Sequence, residues 1–169
     1  MDFAIQNTNR PSNYDTLVAD FLNGHVDYMA DKGGSRLEFI TVRIQEAHPT
    51  LIAAIRELKC LTSFHLFTTN LAKRPFMQLL SSLCERCQNL RILRIVHDGE
   101  IPNRVLYYIG GLSNLRSLTI SGRMGDVQAG VLSLQRCRHL KKLSIDVPID
   151  PDIRSMLLSS NHGLDIARK

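Results

Sequence analysis

One short phrase recurs along this chain, and its spacing limits the folds that the chain can adopt. The phrase is Leu-x-x-Leu-x-Ile: exact copies begin at Leu90, Leu115 and Leu140, and looser copies begin at Leu37 and Leu61. These starting positions are 24, 29, 25 and 25 residues apart. Alternating apolar residues are typical of a short strand with one buried side. A chain with such a period stacks its units side by side, because one unit cannot bury its own apolar face.

A second landmark follows the start of each copy by 11 to 14 residues and predicts a helix in every unit. One unit has Asp126 at this place, and the other four have proline: Pro49, Pro75, Pro102 and Pro151. Proline is tolerated in the first turn of a helix, and aspartate can cap one. Apolar residues with helical spacing follow, such as Val105, Ile109 and Leu112. Each unit is therefore predicted to be a strand and a helix, which makes the fold class α/β with parallel strands.

The repeats also define the expected organisation of the chain. Five units cover residues 36–161, at about 36–59, 60–87, 88–112, 113–137 and 138–161. A partial unit with its own helix is predicted over residues 1–35, and residues 162–169 are predicted to begin a further unit. Neither end has the polar cap that a repeat array needs. We therefore expect either a segment of a longer protein or partners that cover the two ends.

The longer phrase Cys-x-x-Leu-x-x-Leu-x-Ile occurs at Cys87 and again at Cys137. Together with the five in-phase copies, it resembles the leucine-rich repeat family, and in particular the cysteine-containing repeats of F-box ubiquitin-ligase receptors. The resemblance covers residues 36–161. It implies a right-handed βα solenoid with parallel strands on its concave face, and a role in recognising the substrates of a ubiquitin ligase.

The segment IPNRVLYYIGGLSNLRSLTISG, residues 101–122, is similar to another group of leucine-rich repeats, those of intracellular immune receptors. This similarity implies a sensor region instead of a ubiquitin-ligase receptor. A stand-alone adaptor built from the same repeats is the remaining alternative. All three are protein-interaction modules.

No arrangement of residues in the sequence indicates catalysis or a bound cofactor. The motifs of phosphate-binding loops, serine hydrolases and zinc proteases are absent. Cys84 and Cys87 form a Cys-x-x-C pair, but a zinc site needs a second pair of ligands. The two cysteines fall on a predicted apolar helix stripe, where cysteine packs as a small hydrophobic residue. The sequence therefore predicts a protein that is not an enzyme and has no metal site and no cofactor.

Two smaller features have structural interpretations. Gly110 and Gly111 follow a predicted helix, where we expect a left-handed backbone that favours glycine. The six histidines lack the spacing of metal ligands. Among them, His65 and His97 are expected near the strand face and in contact with solvent.

The outward positions of the predicted strands are unusually basic in the last three units. Between residues 86 and 142 there are ten Lys or Arg and three acidic residues. The predicted partner-binding residues are five cations with apolar and aromatic neighbours: Arg91, Arg94, Arg116, Lys141, Lys142, Ile92, Val96, Phe67 and His65. Arginines beside apolar anchors are typical of protein-binding hot spots and of sites that bind acidic or phosphorylated segments. A merely solvated face is the alternative.

Composition disfavours several other functions. A net charge of +5 without dense basic tracts, with 6% aromatic residues and no Trp, does not favour nucleic acid as the partner. No run of 18 apolar residues occurs, so no membrane span is predicted. The first residues resemble no secretory signal, and the four cysteines are expected to be reduced thiols. These features predict an intracellular protein of the cytoplasm or nucleus.

Overall fold

The computed structural model describes residues 2–4, 37–44, 47 and 49–167. In this part, strands and helices alternate along the chain. The strands are β1 (Asp2–Ala4), β2 (Phe39–Ile44), β3 (Ser63–Thr68), β4 (Ile92–Ile101), β5 (Ser117–Met124), β6 (Lys142–Ile145) and β7 (Asp165–Ala167). The helices are α1 (Pro49–Arg56), α2 (Lys73–Arg86), α3 (Arg104–Ile109), α4 (Gln128–Leu132) and α5 (Pro151–Ser160), and a short 3-10 helix, Ser133–Arg136, continues α4. None of these helices is long and apolar enough to cross a bilayer.

All seven strands belong to one sheet, in which the spatial order of the strands equals their order in the sequence. Every neighbouring pair is parallel. The predicted α/β fold with parallel strands is confirmed. Of the partial unit predicted over residues 1–35, only β1 falls within the described residues. At the other end, β7 lies in the predicted further unit of residues 162–169 and pairs with β6.

The register of the sheet joins equivalent positions of successive copies of the phrase. Ile40 pairs with Phe64, Phe64 with Leu93, Leu93 with Leu118 and Leu118 with Leu143. These five side chains form one buried row. A slip of one residue would turn such a row towards solvent, so the apolar phrase specifies this register.

The landmark residues lie at or near helix starts, although Pro75 is only the third residue of α2 and Pro102 precedes α3 by two residues. Pro49 and Pro151 are the first residues of α1 and α5. The Asp150 carboxylate accepts a hydrogen bond of 2.8 Å from the backbone N–H of Asp152. In the unit without proline, the Asp126 carboxylate accepts one of 3.1 Å from the backbone N–H of Gln128. These contacts satisfy N–H groups that a helix start leaves without partners.

Three of the four cysteines lie in the core, as the helical spacing predicts. Cys84, Cys87 and Cys137 are buried, whereas Cys60 is exposed. The Cys137 thiol donates to the carbonyl of Ile109 at 3.4 Å, at the end of α3. The Cys87 thiol makes the equivalent contact with the carbonyl of Ile55 in α1, and it also contacts the carbonyl of Leu58 in the following turn. Burial raises the pKa of Cys87 and Cys137 to about 12, so both remain thiols that satisfy carbonyls of the preceding unit.

The expectation of a left-handed backbone at Gly110 is wrong. Gly110 has φ −58° and ψ −16°, which is right-handed helical geometry. Glycine is needed there for space instead, because a Cβ atom would lie 2.7 Å from the carbonyl oxygen of Ser133. The close approach of α3 to the next unit therefore explains the residue.

Asparagine side chains join successive turns on the amino-terminal side of the strands. Asn89 donates to the carbonyl of Lys59 at 3.0 Å, and Asn114 donates to the carbonyl of Gln88 at 3.1 Å. Each asparagine precedes the first leucine of its phrase by one residue. The two contacts hold neighbouring units in the same relative position.

Candidate protein-binding face

One side of the sheet carries the predicted binding residues. We call it the outer face and define it as the alternate residues of β2 to β6 that point away from the buried rows, with the residue that precedes each strand. Arg91, Arg94, Arg116, Lys141, Lys142 and Ile92 are exposed there, and Val96, Phe67 and His65 are half-buried. Six of the nine predicted residues thus lie on alternate strand positions of one side, and the other three, Arg91, Arg116 and Lys141, are exposed directly before β4, β5 and β6.

Three exposed arginines occupy neighbouring strands of the outer face. The backbone N–H of Arg116 donates to the carbonyl of Arg91 at 2.8 Å, so these two residues are direct neighbours. Arg94 lies three residues further along β4. Within the described part of the chain, no carboxylate lies within 4.0 Å of the three guanidinium groups. Positive charge therefore accumulates here without internal compensation.

The two lysines differ in how available they are to a partner. The Lys141 ammonium donates to the carbonyl of His162 at 2.6 Å, so it is held against the next turn. Lys142 is exposed and lies between Ser117 and Asp165 in the sheet register. Of the pair, Lys142 is the better placed to contact a partner.

Ile92 is the apolar residue that projects most from the outer face. Its side chain is 42% exposed. Its partners in the register are Ser63 and Ser117, whose small side chains leave the isoleucine standing above its surroundings. An apolar side chain that projects among arginines is a suitable anchor for a protein partner.

Phe67 holds two arginines beside it. The guanidinium carbon of Arg43 lies 4.3 Å from the centre of the Phe67 ring, and that of Arg94 lies 5.5 Å from it. A guanidinium that stacks on a ring keeps its N–H donors free at its edge. Sequence reasoning missed Arg43 as a site residue, although the register places it directly beside Phe67.

His65 is part of the same surface and is uncharged at neutral pH. Its ring meets Phe39 edge-on, with ring centres 5.1 Å apart. Burial lowers the pKa of His65 below its ordinary value of 6.5, and the charge of Arg94 lowers the pKa further. His65 therefore contributes a ring to the face and no charge.

Two small outward residues are buried, contrary to the alternation predicted for the strands. Thr41 and Ser63 are 9% and 8% exposed. Ser63 lies between Phe39 and Ile92 in the register, and the larger neighbours cover it. Thr41 and Ser63 therefore offer little side-chain surface to a partner.

A cavity of about 540 Å³ opens where strands β2 to β5 end. Phe67 and Val96 connect it with the outer face. Charged residues on its border are Arg43, Arg123, Asp98 and Asp146.

His97 is a buried part of the cavity wall, so the expectation of a solvated histidine is wrong. The side chain lies parallel to the Phe76 ring, with centres 4.5 Å apart, and its Nδ1 is 2.7 Å from Thr68 Oγ1. Burial lowers the pKa of His97, and Arg123 lowers it to a smaller extent, although Asp98 and a hydrogen bond with the Thr68 backbone raise it. The histidine is therefore neutral and structural at neutral pH.

A bulge in β4 contributes to the wall of the cavity. Pairing passes from Val96–Ser121 directly to Glu100–Arg123, so residues 97–99 of β4 face only Gly122 of β5. Gly122 has φ +152°, and a Cβ atom there would lie 2.4 Å from the carbonyl oxygen of His97. Gly99 and Gly122 are the sequence signal that could have revealed the bulge.

In the described residues, no group of three or more His, Cys, Asp or Glu is arranged to hold a metal ion. In comparisons with known proteins, no family model and no curated protein matches the chain. The case for function therefore depends on the outer face and its bordering cavity.

Proposed function

We propose that this chain is a leucine-rich repeat solenoid whose outer face is the concave side and binds an acidic or phosphorylated segment of a protein partner. The observation that carries the proposal is the set of exposed arginines around the projecting Ile92, none of which has a carboxylate of the described residues within 4.0 Å. An acidic segment would supply the missing negative charge, and an apolar side chain of the partner would cover Ile92.

Binding would use a surface that is already ordered. Strand pairing fixes the backbone of the outer face, and the Phe67 ring restrains Arg43 and Arg94. Arginine and lysine side chains lose conformational entropy when a partner orders them. Restraint before binding reduces this cost, so the face would recognise its segment as a rigid template.

Within this class, the role we propose is substrate recognition for a ubiquitin ligase. It is supported by the resemblance to F-box receptors and by Cys87 and Cys137, whose thiols donate to the equivalent carbonyls of Ile55 and Ile109 in two units. The alternatives are an immune-receptor sensor, which residues 101–122 support, and a stand-alone adaptor. The mass and domain content of the endogenous protein, measured after immunoprecipitation, would distinguish the three.

The binding proposal is tested by reversing charge on the outer face. The partner is first recovered by affinity purification. The triple variant Arg91→Glu, Arg94→Glu, Arg116→Glu should bind it with an affinity lower by about tenfold or more, since each charge-assisted contact contributes appreciably to affinity. The matched control reverses three exposed arginines of the helices: Arg74→Glu, Arg104→Glu and Arg136→Glu.

Both variants should keep the circular-dichroism spectrum of the natural chain, because all six side chains are exposed. Equal partner binding by the two variants would refute the outer face as the binding site. Nuclease treatment before the purification removes nucleic acid as the source of recovery. Binding that disappears with nuclease would indicate a nucleic-acid ligand instead of a protein.

A further inference from the structure

The cavity at the ends of β2 to β5 has a charge arrangement that suits one particular kind of side chain. Its two carboxylates already accept hydrogen bonds from the protein. Asp98 Oδ1 accepts from the backbone N–H of Asn70 at 2.9 Å, and Asp146 accepts from the hydroxyl of Ser121. No described carboxylate lies within 4.0 Å of the guanidinium groups of Arg43 and Arg123.

The arginines are placed to act on a guest in the cavity. Arg43 stacks on Phe67, so its N–H donors remain free at the edge of the guanidinium plane. Arg123 borders the same cavity from β5, just beyond the bulge. Between them, Phe67 and Val96 provide an apolar surface for the methylene groups of a guest side chain.

The geometry points to this cavity as a subsite for a carboxylate side chain, aspartate or glutamate, of the segment that binds the outer face. This inference rests on the proposed function, because the cavity shares Phe67 and Val96 with that face. A single negative charge is complementary to the two guanidinium groups, which have no carboxylate of the described residues within 4.0 Å. Asp98 and Asp146 also border the cavity and would repel a doubly charged phosphate more strongly than a singly charged carboxylate, so the cavity favours a carboxylate.

The full chain labelled with ¹⁵N is titrated with the tripeptide acetyl-Ala-Glu-Ala-amide, with its glutamine analogue and with its phosphoserine analogue. The glutamate peptide should cause saturable shifts of the Gly99 and Gly122 amide signals, which lie at the bulge. The glutamine peptide should cause none. The phosphoserine peptide should bind more weakly. Equal response to glutamate and glutamine, or tighter binding of phosphoserine, would overturn the inference.

Substitutions in the cavity wall test whether the glutamate peptide binds there. Arg43→Gln and Arg123→Gln should each weaken binding of the glutamate peptide about tenfold, whereas Arg104→Gln in α3 should leave it unchanged. Phe67→Leu keeps the apolar surface and removes the ring that holds Arg43, so it should weaken binding by a smaller factor. Unchanged affinity in both Arg43→Gln and Arg123→Gln would overturn the assignment.

The double variant Arg91→Glu, Arg116→Glu separates this inference from the proposed function, because neither residue lines the cavity. It should bind the glutamate peptide like the natural chain while losing its protein partner. If the double variant binds both the protein partner and the glutamate peptide like the natural chain, the outer-face proposal is refuted and the cavity assignment is supported. If the natural chain does not bind the peptide, the cavity assignment fails by itself.

Discussion

The two ends of the strands are built in different ways. At their amino-terminal ends, the same contacts recur in successive units: backbone N–H groups of one unit donate to the carbonyl that precedes the strand of the unit before, as Arg116 does to Arg91. At their carboxyl-terminal ends, β4 bulges opposite Gly122 and a cavity opens. The regular end sets the spacing of the units, and the irregular end gives this chain a cavity lined by charged residues.

The largest effect should come from the regular end. Leu115 is fully buried at the start of its phrase. Leu115→Ala should lower the free energy of unfolding by about 2–5 kcal/mol, because it removes apolar contacts and leaves a cavity. Ile92→Ala, at an exposed position of the outer face, should change it by about 0.5 kcal/mol or less. Urea unfolding compares the two, and equal losses would contradict the assignment of the buried and exposed faces.

A smaller but localised effect is expected at the irregular end. Gly122→Ala should lower the free energy of unfolding by about 1–3 kcal/mol, because alanine is strained at φ +152° and its Cβ would collide with His97. Gly125→Ala is the control, since nothing lies within 4 Å of a Cβ atom there. If both variants are equally stable in urea, the bulge geometry is wrong.

The asparagine contacts of the regular end should contribute less to the free energy of unfolding than the buried leucine or Gly122 does. Asn114→Ala removes the hydrogen bond to the Gln88 carbonyl and should cost about 0.5–1.5 kcal/mol. Its neighbour Ser113 is also exposed, and Ser113→Ala should have no measurable effect. Thermal unfolding of the two variants provides the comparison. Identical melting temperatures would show that the side chain of Asn114 does not join the units.

The smallest predicted effect is a dependence of the free energy of unfolding on pH. It should arise from His97 at the irregular end and His65 on the outer face. Folding lowers the pKa of His97 and of His65 below 6.5, so the unfolded chain takes up protons at a higher pH than the folded chain. Above pH 6.5 the two histidines should therefore leave the free energy of unfolding unchanged. As the pH decreases from 6.5, the free energy of unfolding should fall. Urea unfolding at pH 7.5 and 5.5 measures this change. His97→Gln should reduce it, and an unchanged dependence would contradict a buried, neutral His97.

The features that could be predicted from the sequence are mainly those of the regular end. The phrase fixed which residues pair across the sheet, because each copy repeats the same apolar positions with the same alternation. Six of the nine residues predicted for binding lie on one face for the same reason, and the other three precede strands of that face. The bulge, the burial of His97 and the stacking of Arg43 on Phe67 depend on contacts between units that no single copy contains. Asn89 and Asn114 repeat in phase, so their contacts could have been predicted from the sequence.

The most direct test of the outer face is a photo-crosslinking experiment with two matched positions. Ile92 on the outer face and Tyr107 on α3 are 42% and 49% exposed, so a benzoylphenylalanine placed at either should be tolerated. The account predicts that the partner crosslinks to position 92, and that the crosslinked segment is rich in Asp, Glu or phosphorylated residues. Crosslinking of the same partner at position 107 with equal or greater yield would contradict it.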